Sequence, residues 1–156
     1  MQLSLHNRSG MPMPYSLGLH PYFPRLPGSS VTADVGEMWT ATPAMIPSQT
    51  VAGDTLIDLG RGQLLASAPF VDNTFTRWKG PARITQPDLG LEIELSASPD
   101  CRFFHVFIPE GSDFFCAEPT TAMPNAFNRQ AGESGAKAVA PGGTVSMDMQ
   151  LTVRKL

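Results

Sequence analysis

The chain has 156 residues, of which 42% are hydrophobic and only 16% charged, with a net charge of −3. That balance supplies a core for one domain and excludes a disordered tail, which needs high charge and few aromatics. Lys and Arg are scattered without a basic run, which argues against nucleic acid, and no apolar stretch approaches the ~18 residues of a membrane span.

Residues 1–10 alternate polar and apolar and do not read as a secretory signal. Cys101 and Cys116 match no zinc spacing and are too few for a disulfide scaffold. They read as reduced, buried thiols of a cytoplasmic protein. Fifteen prolines and fourteen glycines punctuate the chain. This suits many short strands joined by turns and argues against long helices.

In chain order, residues 2–7 alternate and predict a half-buried strand ending at Asn7-Arg8-Ser9-Gly10. Residues 15–19 read as a second strand stopped by Pro21, and residues 38–42 as a third stopped by Pro43. Residues 49–70 are broken by Gly53, Gly60 and Gly62. Residues 82–85 and 91–95 alternate around Pro87-Asp88-Leu89-Gly90, a predicted hairpin. Residues 103–108 and 114–118 flank Pro109-Glu110-Gly111-Ser112-Asp113, a second hairpin, apolar on both faces and so expected inside a sandwich. In residues 144–153, Val145, Met147, Met149, Leu151 and Val153 share one face. The expectation is an all-β, mostly antiparallel sandwich in a single domain over residues 1–156. Its first strand opens at Gln2 as an uncovered edge, which suggests something missing before Met1.

Three segments carry chemistry. In Gly18-Leu19-His20-Pro21-Tyr22-Phe23, a histidine stands before a proline that holds it extended and stops its strand. Histidine can both give and take a proton near neutrality, and Tyr22 and Phe23 add aromatic surface suited to a sugar ring. In Phe114-Phe115-Cys116-Ala117-Glu118-Pro119, a carboxylate ends an apolar strand, where partial burial makes it a better base. In Asp72-Asn73-Thr74-Phe75-Thr76-Arg77-Trp78, Asp72 and Asn73 suit vicinal hydroxyls, and Phe75 or Trp78 suits stacking on a sugar. His105, between Phe104 and Val106, reads as a packed core histidine.

Together these segments resemble the aldose 1-epimerase (galactose mutarotase) family, specifically its C-terminal half. The matching text is Gly18-Leu19-His20-Pro21-Tyr22-Phe23, Met45-Ile46-Pro47, Asp72-Asn73-Thr74-Phe75 with Trp78 and Gly80, and Cys116-Ala117-Glu118-Pro119 leading to Asn125-Ala126-Phe127-Asn128.

The resemblance implies a galactose mutarotase-like β-sandwich, incomplete relative to the full family fold, with sugar bound in an open cleft. It implies interconversion of α and β anomers of a free aldose such as galactose or glucose, with no metal and no cofactor. Glu118 would take the proton of the anomeric hydroxyl and His20 would protonate the ring oxygen. Asp72 would hold a sugar hydroxyl, with Tyr22, Asn73, Phe75 and Trp78 as further substrate contacts. Family members are about twice this long, and the arginine and second histidine of their N-terminal half have no match here; His6 does not match. Ala122 stands where the family often has histidine. The expectation is therefore a partial chain, its open sheet covered by a missing N-terminal half or by self-association, and its activity alone in question. The alternatives are a carbohydrate-binding module without catalysis, and a hexose 6-phosphate epimerase using Arg25, Arg77 and Lys79.

Overall fold

A computed structural model describes residues 1–129 and 132–156. Fourteen strands follow in chain order: β1 (Gln2–His6), β2 (Met13–Tyr15), β3 (Tyr22–Pro24), β4 (Ser30–Thr32), β5 (Met38–Ala41), β6 (Pro47–Val51), β7 (Gln63–Leu64), β8 (Val71–Phe75), β9 (Ala82–Gln86), β10 (Leu91–Ala97), β11 (Phe103–Ile108), β12 (Phe114–Thr120), β13 (Lys137–Val139) and β14 (Thr144–Lys155). The helices among the described residues are three-residue 3-10 turns.

Two six-stranded sheets face each other, ordered β1-β14-β10-β9-β4-β7 and β3-β12-β11-β8-β5-β6, with β2 and β13 paired separately. Every strand pairing among the described residues is antiparallel. Between the two large sheets lies the core. The first sheet contributes Val31, Ala82, Ile84, Leu95 and Met147, and the second contributes Phe75, Phe104, Val106, Ile108 and Phe115, all fully buried. The expected sandwich is the observed one.

The hairpin around Pro87 forms as expected: β9 and β10 pair from Leu91 opposite Gln86 to Leu95 opposite Ala82. Gly90 takes the left-handed conformation (φ 63°) that closes the turn. The apolar stripe of β14 is real, but the second sheet covers only part of it. Met147 and Met149 are buried, whereas Leu151 and Val153 are 41% and 57% exposed. β1 is an edge strand, paired with β14 alone.

Two expectations are corrected. The strand expected over residues 15–19 is absent: β2 ends at Tyr15, and Gly18 makes only an isolated bridge to Thr120. The β11–β12 hairpin buries both faces along β12, where residues 115–119 are all buried, but not along β11. Phe104, Val106 and Ile108 point into the core, while His105 and Phe107 on the other face are only half-buried. The outer face of this sheet is where the site lies.

Candidate active site

β3 and β12 pair in one antiparallel register, Pro24 opposite Phe114, Phe23 opposite Phe115 and Tyr22 opposite Cys116. The isolated bridge of Gly18 with Thr120 continues the same register. His20 therefore stands opposite Glu118. Directly opposed residues in an antiparallel pair share a face. His20 Nε2 lies 3.2 Å from Glu118 Oε1.

The prolines act differently from the sequence reading. Neither His20 nor Glu118 ends a strand. Glu118 lies inside β12, which continues through Pro119 to Thr120. Pro119 is tolerated there because its backbone edge faces the residue 17–20 segment, where its carbonyl accepts from the Leu19 N–H at 3.3 Å. A backbone N–H and C=O of one strand residue point the same way, so the missing donor takes nothing from the β11 ladder. On the facing segment Pro21 has no donor either. The result is a gap in the ladder between β3 and Gly18, with His20 inside it.

Glu118 is flanked on its other side by β11, where His105 is its direct partner. His105 in turn faces Thr74 of β8. Its ring bridges two groups of that strand: Nε2 donates to Asp72 Oδ1 at 2.9 Å, and Nδ1 lies 2.8 Å from the Thr74 hydroxyl. The expectation that His105 is a packed core histidine is corrected. It lies on the cleft face with both ring nitrogens engaged by polar partners.

These residues floor a cleft of about 410 Å³, lined by His20, Asp72, Asn73, Thr74, His105, Glu118 and Thr120 together with Trp39, Phe107, Met45 and Pro47. Its electrostatics follow from burial and pairing. Burial pushes the Glu118 carboxyl above its ordinary value, opposed by the charges of His105 and His20 and aided by that of Asp72. The hydrogen bond from His105 holds Asp72 below its ordinary value, against the effect of burial. Two carboxyls in one cleft are thereby set apart, one ionised readily and one a stronger base. Glu118 Oε1 is buried and accepts no hydrogen bond, since the His20 approach is close but not aligned as one. His20 is half exposed and its ring stacks on Tyr22 at 4.9 Å and 17°.

The other predicted contacts fall in several places. Tyr22 is 63% exposed and reaches the cleft only through His20. Asn73 lines the cleft, but its amide donates to the Trp39 carbonyl at 2.8 Å and so ties β8 to β5. Phe75 and Trp78 are corrected as sugar-stacking residues. Phe75 is fully buried opposite Phe104, and Trp78 is buried and stacked on Phe104 at 5.0 Å. The aromatic walls of the cleft are instead Trp39 and Phe107. The Arg129 guanidinium lies over the Trp39 ring at 4.5 Å and donates to the Pro47 carbonyl. Ala122 is buried against Trp39 and Phe103, behind this wall.

None of the three cations considered for a phosphate lines the cleft. Arg25 donates to the carbonyls of Leu65, Ala68 and Pro109, Arg77 pairs with Glu37 at 3.3 Å, and Lys79 pairs with Asp34 at 3.7 Å. Cys101 and Cys116 are free and buried; burial and Asp100 push the first thiol up to about 11, and burial and Glu118 push the second up to about 12. No helix of the described residues is long and apolar enough to cross a membrane.

The family model for aldose 1-epimerase matches residues 1–152. The chain belongs to the aldose 1-epimerase family. It is 30% identical to the uncharacterized protein YphB of Escherichia coli strain K12, over 99% of this chain and 55% of that protein. It is similar to the crystal structure of a putative aldose 1-epimerase from Escherichia coli K12, with a TM-score of 0.88 and 27% identity over 99% of this chain and 55% of the other. A galactose mutarotase-like protein from Clostridium acetobutylicum shares the fold, with a TM-score of 0.85 and 19% identity over 99% of this chain and 52% of the other. The chain thus spans about half the length of the curated relative it matches.

Proposed function

We propose that this chain carries the proton-transfer half of an aldose 1-epimerase site, which opens and recloses the hemiacetal of a free hexose such as glucose or galactose. The observation that carries the reading is the 3.2 Å approach of His20 Nε2 to Glu118 Oε1 on the floor of an open cleft. The two oxygens that exchange protons in mutarotation are bonded to the same carbon. The acid and the base must therefore be close neighbours, as this pair is.

In this reading Glu118, strengthened as a base by burial, takes the proton of the anomeric hydroxyl. Protonated His20 gives its proton to the ring oxygen, and the C1–O5 bond opens to the aldehyde. Rotation about C1–C2 presents the other carbonyl face, and reclosure returns each proton. The two groups exchange roles and the site ends as it began, so no metal or cofactor enters the step. Asp72, ionised and held by His105, accepts from a sugar hydroxyl, with Trp39 and Phe107 as apolar walls. These are general acid–base contributions of ~10²–10⁴-fold each.

The test is polarimetry of freshly dissolved α-glucose and α-galactose. The expected result is relaxation faster than the buffer blank, abolished by His20→Gln or Glu118→Gln. A rate equal to the blank, or full rate in both variants, overturns the reading for these 156 residues.

The same floor and walls also suit a sugar-binding surface without turnover, because no arginine or lysine is among the described lining residues to bind and distort the ring. Saturable NMR shift changes with glucose, without faster anomer exchange, would select this reading. The relatives' remaining length bears on both readings, since a full-length partner or a second copy of this chain would extend the cleft wall.

A further inference from the structure

We propose that His20, Cys116 and Glu118 form a binding site for a thiophilic divalent cation of the Zn²⁺ class, and that occupation of this site blocks the cleft. Their ligand atoms, the His20 ring nitrogen, the Cys116 sulfur and a Glu118 carboxylate oxygen, all lie within 4.8 Å of one another. Two features of the fold bring them together. Cys116 and Glu118 are alternate residues of β12 and so share a face. His20 faces Glu118 across the gap in the β3–β12 ladder, two residues from Tyr22, the direct partner of Cys116.

The donor set is that of a borderline-soft cation: one imidazole, one thiol and one carboxylate, with Zn²⁺ distances of about 2.0–2.3 Å. Tetrahedral closure around such an ion requires the three atoms to draw in from their present spread. His20 provides that adjustment, because it is half exposed and, among the described residues, is held by stacking on Tyr22 and its approach to Glu118.

An independent observation points to a cation. The Glu118 side chain is nine-tenths buried, and its Oε1 is buried without a hydrogen-bond donor among the described residues. A buried carboxylate oxygen lacking a donor is an acceptor with unused capacity. A cation would satisfy it. On binding, the Cys116 thiol loses its proton to solvent, and the two anionic ligands then balance the dication.

The consequence for chemistry follows from the atoms used. The ion would occupy His20 Nε2 and the Glu118 carboxylate, the two groups assigned to proton transfer. Cation binding itself does not depend on that assignment. Inhibition by Zn²⁺ does rest on it.

The experiment is titration of the chain with Co²⁺, followed by absorption, and with Zn²⁺, followed by calorimetry. The expected result is one equivalent bound, a thiolate-to-cobalt charge-transfer band, and at least tenfold weaker binding in Cys116→Ser and in His20→Gln. His20→Gln changes an exposed side chain, so it keeps the test sound if Cys116→Ser fails to fold. Absence of saturable binding, binding without a thiolate band, or unchanged affinity in His20→Gln would each overturn the proposal. These readouts use binding alone, so a chain with no mutarotase activity still tests the site.

Discussion

His105 faces Glu118 directly across the β11–β12 ladder while its ring holds Asp72 at 2.9 Å. One side chain thus touches the surroundings of both carboxyls in the cleft. Its charge opposes the burial that raises Glu118, and its hydrogen bond lowers Asp72. His105→Gln should therefore raise both carboxyl pKa values. The acid-side limb of the pH–rate profile, which reports deprotonation of the base, should move to higher pH, and kcat/KM should fall about tenfold to a hundredfold, the range for a hydrogen bond to a charged group of ~1.5–3 kcal/mol. Carbon-13 NMR titration of the carboxyls checks the first expectation even without turnover. Unmoved Glu118 and Asp72 titrations would remove His105 from this role.

Because the proposed proton transfer runs through both groups of the pair, the effects of His20→Gln and Glu118→Gln should not add. Each should lower the rate by ~10²–10⁴-fold, and the double variant should be about as slow as the slower single one. Multiplicative losses would mean that the two residues act independently.

Stability should carry the signature of the buried carboxyl. Glu118 titrates above its ordinary value of 4.5, so the cost of its ionised form is fully present above the raised value and disappears as pH falls through it. Glu118→Gln removes that cost. Its melting temperature should exceed that of the parent at about pH 8, with the gain shrinking as the medium approaches the ordinary carboxylate range. Asp72 works in the opposite sense: its lowered pKa stabilises above the ordinary value of 3.8, and that contribution is lost as pH falls through the folded value. Asp72→Asn should thus flatten the acid side of the melting curve. Thermal melts across pH measure both.

Phe75→Ala separates the two faces of β8. Its side chain is fully buried against the core, so the expected cost is about 3–5 kcal/mol of stability. Sugar affinity, followed by NMR titration below the melting temperature, should stay within twofold. A loss of affinity larger than the loss of stability would return Phe75 to the site.

Gly18→Val tests the gap in the ladder. A Cβ at Gly18 would meet Thr120 Cγ2 at 2.9 Å and Cβ at 3.4 Å. The Thr120 hydroxyl is tied to the Ala122 carbonyl at 2.9 Å, which limits its retreat. The residue 17–20 segment should move instead and carry His20 away from Glu118. The expected outcome is a folded protein with about tenfold or greater loss of any His20-dependent rate, for which a 1.4 kcal/mol misplacement suffices. Retained rate would mean that His20 has freedom to recover its place.

Much of the fold was legible because alternation and turn chemistry are local. The Pro87–Gly90 turn and its flanking strands needed only neighbouring residues to be read. The motifs singled out His20, Asp72 and Glu118, which line one cleft, but their geometry was not legible. Both prolines looked like strand stops, and only the shared register shows that they empty one ladder edge without ending β12. His105 was hidden because aromatic and apolar neighbours on both sides mask a period of two when both parities are apolar. Its pairing with Glu118 and Thr74 is a property of three strands at once. Phe75 and Trp78 were misplaced for a related reason: closeness in sequence to Asp72 does not say which side of a sheet a ring occupies. Trp39 gave no local cue, since Met38 beside it is equally apolar and only the β5–β8 pairing assigns their faces.

The alternation of β11 has a genetic consequence. Phe104, Val106 and Ile108 answer to the core, and His105 and Phe107 to the cleft. A saturation library across these five codons should therefore score as two interleaved phenotypes. Even-numbered positions should alter abundance in the cell, and His105 and Phe107 should alter phenotype at unchanged abundance. Selection for one trait would leave the other set of codons free to drift, so a single short stretch of the gene can record stability and chemistry as separate histories.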